Sequence, residues 1–241
     1  MAEDKGTILV VSAHAADFVW RAGGAISLYA ERGYKVRILC LSYGERGESE
    51  RLWKQSGMTL EKVKESRRAE SEKAAGILGA EIRFFDCQDY PLAPSEETVH
   101  KIVSEFRVQQ PALVLTHSLA DPYNPDHPAA CQLTLSTRVY AQAAGYPGKG
   151  KKLEAPPVFM FEPHQPEQCD FKPQVLLDIT PVFERKRKAM ETMEAQEHLW
   201  HYYSELALRR GTQAARNSGR KEIKYAEAYQ RVYPQVTSEL S

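Results

Sequence analysis

The chain is expected to be α/β: a Rossmann-like three-layer sandwich with a mainly parallel sheet, plus a C-terminal helical extension. Short apolar runs of strand length alternate with longer helix-like segments as far as residue 144, the pattern of βαβ units. The apolar runs are continuous, as strands covered by helices on both faces must be. Histidines and carboxylates follow several of these runs, where an open α/β sheet carries its ligands.

Each element has its own signal. TILVVSA, residues 7–13, is a buried strand, and AGGAISLYAERG, residues 22–33, a helix closed by Gly33. KVRILCLS, residues 35–42, is a second buried strand, followed by the loop YGERGESERLWKQSGMT. Helical periodicity returns over residues 60–78 and stops at Gly79. Next come the strand IRFFD, a helix near 96–109, the strand ALVLTH at 112–117 and a helix over 127–144. The Gly/Pro/Lys loop GYPGKGKKLEAPP then breaks the alternation. Strands VFMFEP and VLLDIT follow, then one or two long, charged helices over 182–210. The final stretch reads as an irregular arm with a short helix, YAEAYQRVY. Residues 1–241 are thus expected to form one domain, with 211–241 as a C-terminal arm.

Composition excludes several classes. Lys plus Arg is 32 and Asp plus Glu is 32, so the formal charge is zero and no broad nucleic-acid footprint is expected. Cys40, Cys87, Cys131 and Cys169 form no C-x-x-C pair, which argues against a thiolate zinc knuckle or a disulfide framework. A reducing cytoplasm is the expected compartment. The acidic start, Met-Ala-Glu-Asp-Lys, does not resemble a signal peptide, and no run approaches the ~20 apolar residues of a membrane span. The pair Gly23-Gly24 lacks the G-x-G-x-x-G spacing of a dinucleotide site, so close helix–strand packing is its better reading.

The chemistry concentrates after the strands. His14 and Asp17 follow the first strand, with Ala15 and Ala16 between them. His127 follows a later strand, beside Asp126, in the loop DPYNPDHP. Two imidazoles and a carboxylate from separate loops form the usual ligand set of a catalytic zinc ion, with a position left open. His14, Asp17 and His127 are therefore the expected ligands of Zn²⁺ or another divalent metal. His100, His198 and His201 lie on helical stretches and are expected to be structural or exposed.

These motifs resemble the LmbE-like, or PIG-L-like, zinc deacetylases. That family carries A-H-P-D-D after its first strand and H-P-D-H after a later one. Here stand Ala13-His14-Ala15-Ala16-Asp17 and Asn124-Pro125-Asp126-His127. G-E-R-G at 44–47 resembles the family's G-E-x-G loop, and Arg67 with Glu70 its R-x-x-E helix. The resemblance implies that the three ligands are kept. It also implies that Ala16 replaces the aspartate acting as general base, and Asn124 the histidine that stabilises the oxyanion. General acid–base help is typically worth about 10²–10⁴-fold, so deacetylation should be crippled.

The segments SAHAADFVWRAGGAI, LSYGERGES, FEPHQPEQC and AQEHLW are similar to a hydratase branch built on the same fold. That similarity implies addition of water to a conjugated C=C in a small polycarboxylate. His164, Glu48 and Asp126 are then the candidates for catalysis. His164 is favoured for proton transfer, and Asp126 for orienting a ligand. Arg46, Asn124, Tyr43 and Arg216 are candidates for binding substrate, with Arg21 nearby. Arginine suits because its planar fork holds a carboxylate bidentately. Arg216 could act across a subunit contact, and a homo-oligomer is expected. A deacetylase with another base, and a metal-binding protein without catalysis, are the alternatives.

Overall fold

The computed structural model describes residues 5–239; residues 1–4, with the acidic start of the chain, and residues 240–241 lie outside the described residues. The strand β1 (Thr7–Ser12) leads into α1 (Asp17–Glu31), β2 (Lys35–Cys40), the short α2 (Glu50–Trp53) and α3 (Leu60–Leu78). Then follow β3 (Glu81–Phe84), α4 (Glu96–Gln109), β4 (Pro111–Thr116), α5 (Asp126–Gln142) and β5 (Val158–Phe161). The chain continues through β6 (Val175–Asp178), α6 (Phe183–Met190), α7 (Leu199–Ser218) and β7 (Ala226–Arg231).

The sheet order is β3-β2-β1-β4-β5-β7-β6. Pairs from β3 to β5 are parallel, whereas β7 is antiparallel to both β5 and β6. The first strand is buried throughout and its side chains alternate between two cores. Ile8 and Val10 pack with Phe18, Ile26 and Leu78 of α1 and α3, while Leu9 and Val11 pack with Ile102 and Phe106 of α4. This is period-two geometry in a strand covered on both faces. The order runs outward to β2 on one side of β1 and to β4 on the other. The resulting switch point opens a crevice at the carboxyl ends of β1 and β4.

Gly24 shows why the glycine pair is there. A Cβ at Gly24 would lie 2.6 Å from Ile179 Cγ2 and 2.9 Å from Glu227 Oε1. The pair serves close packing against the C-terminal part of the chain, as its spacing suggests.

The expected arm is corrected by the structure. Residues 211–218 continue α7, and YAEAYQRVY contains the strand β7 rather than a helix. Its Ala and Glu content favours helix, but pairing on two sides overrides that weak preference. Ala226–Tyr229 are buried between β5 and β6. The region predicted as one or two long helices is two, with a 3₁₀ turn at Glu194–Gln196 between them.

Candidate metal centre

The turn after β1 places His14 at the crevice, fully buried. The Asp17 carboxylate accepts from the His14 backbone N–H (2.9 Å), so the first turn of α1 fixes both residues. Ser71 Oγ of α3 donates to the Ala15 carbonyl (2.7 Å) and pins the same turn from outside. After β4, the Asn124 side chain accepts from Asp126 N–H (3.1 Å) and shapes the start of α5, which delivers Asp126 and His127. The loop after β2 brings in Glu48.

One ligand atom each from His14, Asp17, Glu48 and His127 lies within 4.8 Å of the others. His14 Nδ1 is 3.0 Å from Asp17 Oδ2 and 3.1 Å from Glu48 Oε1. Its other nitrogen, Nε2, is 3.3 Å from Asp126 Oδ2. His127 Nδ1 is 2.7 Å from Asp121 Oδ2, while its Nε2 is buried without a hydrogen-bond partner. That Nε2 lies 3.3 Å from Asp17 Oδ1. Each imidazole thus turns one nitrogen to an outer carboxylate and the other toward a common point, the usual support of metal-ligating histidines. Buried, unpartnered His127 Nε2 is what a divalent cation would satisfy. The donor set of imidazole and carboxylate fits such an ion.

The electrostatics agree. Burial acts to lower the His14 pKa, but Glu48, Asp126 and Asp17 raise it well above the ordinary histidine value. The position therefore favours positive charge. Burial pushes Asp121 up, yet the His127 hydrogen bond and charge, with Arg21, hold it below the ordinary aspartate range. Asp126 is likewise held low against burial by His14 and by the backbone N–H groups of Tyr90 and Leu92. His117 is held well below the ordinary histidine value by burial, then by His127. It stacks on His127 at 4.3 Å and accepts from Ala13 N–H through Nε2.

The remaining expected residues divide. His164 is half-buried against Tyr202, and its pKa is lowered by burial and then by Arg21, with Asp121 and His127 also acting on it. It makes no direct contact with the four residues of the cluster among the described residues. Arg21 is buried, donating to Asp17 Oδ1 (3.3 Å) and to the Glu162 carbonyl. The Arg46 guanidinium turns away to the Asp89 carbonyl (2.7 Å) and Gln88 Oε1 (3.1 Å). The Tyr43 hydroxyl accepts from Arg68 (2.5 Å), also away from the cluster. Arg216 is exposed on α7. Sequence reasoning passed over Asp121 and His117. Asp121 had a signal: it precedes His127 on the same loop, and a ligand histidine needs such a partner.

The family model for PIG-L, GlcNAc-PI de-N-acetylase, matches residues 9–137, more than half of the chain. The chain belongs to the PIG-L family. Among PIG-L-like relatives, the 4-oxalmesaconate hydratase of Pseudomonas putida is 53% identical over 236 residues, covering 97% of this chain and 92% of that protein. The crystal structure of GalB, the 4-carboxy-2-hydroxymuconate hydratase from P. putida KT2440, matches with a TM-score of 0.95 and 53% identity. That match covers 98% of this chain and 100% of GalB. The N,N'-diacetylchitobiose deacetylase from Pyrococcus horikoshii shares the PIG-L fold, with a TM-score of 0.75 at 22% identity over 93% of this chain and 83% of its own. No helix among the described residues is long and apolar enough to cross a membrane.

Proposed function

We propose that this PIG-L protein is a metal-dependent hydro-lyase that hydrates 4-oxalomesaconate to 4-carboxy-4-hydroxy-2-oxoadipate, a step of gallate degradation. The observation that carries the reading is a cluster able to hold a metal ion, His14, Asp17, Glu48 and His127, with no proton-transfer group at positions 15 and 16. Ala15 and Ala16 are fully buried. Asp17 is occupied by His14 and Arg21, and Asp126 by His14 and two backbone N–H groups. The hydratase relatives at 53% identity supply the substrate class.

His14, Asp17 and His127 would hold Zn²⁺, with Glu48 beside them. When bound, the ion supplies Lewis-acid activation of water or of a substrate oxygen. Glu48 takes the water proton at Oε2, a reading supported by that atom's lack of a partner in the protein. The water oxygen bonds to one alkene carbon, a proton joins the other, and the π bond is lost. His164 delivers that proton to carbon. Arg21 holds Asp17 in place. Arg46 and Asn124 bind substrate only if the loop around Gln88 and the α5 turn release them. Arg216 and Tyr43 act only through a neighbouring subunit or a loop shift. A homo-oligomer belongs to this reading, and light scattering tests it.

The experiment is an assay of metal-replete protein with 4-oxalomesaconate. Loss of the conjugated alkene should lower ultraviolet absorbance, and labelled water should enter the product as a hydroxyl. Flat absorbance, or efficient release of acetate from N-acetyl sugars instead, would overturn it. The second outcome is disfavoured because amide hydrolysis needs both water activation and oxyanion stabilisation at the positions of Ala16 and Asn124.

A further inference from the structure

The loop between β3 and α4 has a backbone unlike the rest of the chain. Asp86, Gln88 and Tyr90 all adopt left-handed conformations, with φ of 51°, 62° and 46°. Such conformations are unfavourable for residues with a side chain, and for a bulky aromatic most of all. They persist only where surroundings over-determine them. Here the anchors are specific. The Asp89 carboxylate accepts from Arg46 N–H (3.0 Å) and Gly47 N–H (2.8 Å). Asp126, the partner of His14, accepts from Tyr90 N–H and Leu92 N–H, both at 2.8 Å.

The anchoring holds one side chain over the metal centre. The Tyr90 ring lies 6.2 Å from the His14 ring, nearly parallel at 14°. It also lies flat on Gly47: a Cβ there would sit 1.6 Å from Tyr90 Cε2. Position 47 must be glycine for the ring to stay. The residue is 40% exposed, and its phenol has no hydrogen-bond partner among the described residues. Burial raises its pKa, and Glu48 is the strongest charge acting on it, followed by His14 and Asp126. Like any phenol, the hydroxyl can donate a hydrogen bond.

We propose that Tyr90 is a substrate-binding residue, whose ring walls the metal centre and whose hydroxyl donates to a carboxylate of the substrate. The proposal rests on the hydratase reading above. It answers a gap in that site: Arg46 points to Gln88 and Asp89, and Arg21 is bonded to Asp17 and Glu162. A neutral donor also suits a polyanion entering beside Asp17, Glu48 and Asp126.

The test uses full-length, metal-replete protein. Tyr90→Phe keeps the ring on Gly47 and removes only the donor. KM for 4-oxalomesaconate should rise about tenfold or more, the loss typical of a hydrogen bond to a charged group. Affinity for the product, measured by calorimetry, should fall by a similar factor, with kcat and metal content close to wild type. Gly47→Ala should displace the ring and give the same shift, with little further loss in the Gly47→Ala/Tyr90→Phe double variant. Wild-type KM and product affinity in Tyr90→Phe would overturn the proposal, as would a fall in kcat alone. If wild-type protein turns over no substrate, the hydratase reading fails instead, and that control separates the two.

Discussion

His14 and His127 each give one ring nitrogen to a carboxylate outside the ligand set, Asp126 and Asp121 respectively. These contacts fix the tautomers and aim the free nitrogens inward. Asp121→Asn should weaken metal binding by about 10–100-fold, read by competition with a chelator of known affinity. Unchanged affinity would remove Asp121 from the support of the centre. Glu48 is the residue whose role a single variant can resolve. As a base, Glu48→Gln should lower kcat by about 10²–10⁴-fold while metal content holds. Loss of metal from that variant would make Glu48 a ligand instead. The Ala15-Ala16 pair between His14 and Asp17 was legible in the sequence because these residues are neighbours in the chain, and His127 because it follows a strand. Tyr90 was not, since its meaning comes from contacts with other loops, whereas Asp121 was legible only through its place just before His127 on the same loop.

Among the elements, α1 carries Asp17 and is gripped from outside. Gly24 and Ala25 donate their N–H groups to the Glu227 carboxylate, at 2.7 and 2.8 Å. Lys186 of α6 donates to the Trp20 carbonyl (2.9 Å) and to Glu227 Oε1 (2.7 Å). A buried ion pair thus bonds both the Gly24 N–H and the Trp20 carbonyl, one helical turn apart. Tyr229 donates its hydroxyl to the same carboxylate (2.7 Å). Removing one partner strands a buried charge, so Glu227→Ala should cost about 3–5 kcal/mol in urea unfolding. The double variant Lys186→Met/Glu227→Leu should recover much of that loss, because a matched apolar pair leaves no charge uncompensated. Equal or greater loss in the double variant would show that the ladder contacts, not the paired charges, hold α1. No periodicity could have announced this arrangement, which joins α1, α6 and β7.

For the molecule as a whole, acid should act through the carboxylates around the centre. Asp121 and Asp126 are held below the ordinary aspartate value of 3.8. The unfolded chain therefore takes up protons at a pH where the folded chain does not. Their stabilisation is fully present above 3.8 and is lost as pH falls through the lower folded values. Chelator-treated protein should show its midpoint in urea falling steeply below about pH 4, with a shallower fall for Asp121→Asn. With metal present, stability should depend on pH at higher values too, because ligands must be deprotonated to bind it. A urea midpoint independent of pH below 4 would contradict the assigned pairing of these carboxylates.

The sequence alone determined the βαβ alternation, the strands TILVVSA and ALVLTH, and the placing of His14, Asp17 and His127 after strands. Those features are local: hydrophobic period, turn residues and chain proximity set them. Tertiary structure alone decided that YAEAYQRVY closes the sheet as β7, and that Arg46 turns to Gln88 rather than to the centre. It also brought Tyr90 onto Gly47 and Glu227 into α1. Each of these depends on a partner far away in the chain, and short-range preference is too weak to resist such a partner once it is buried.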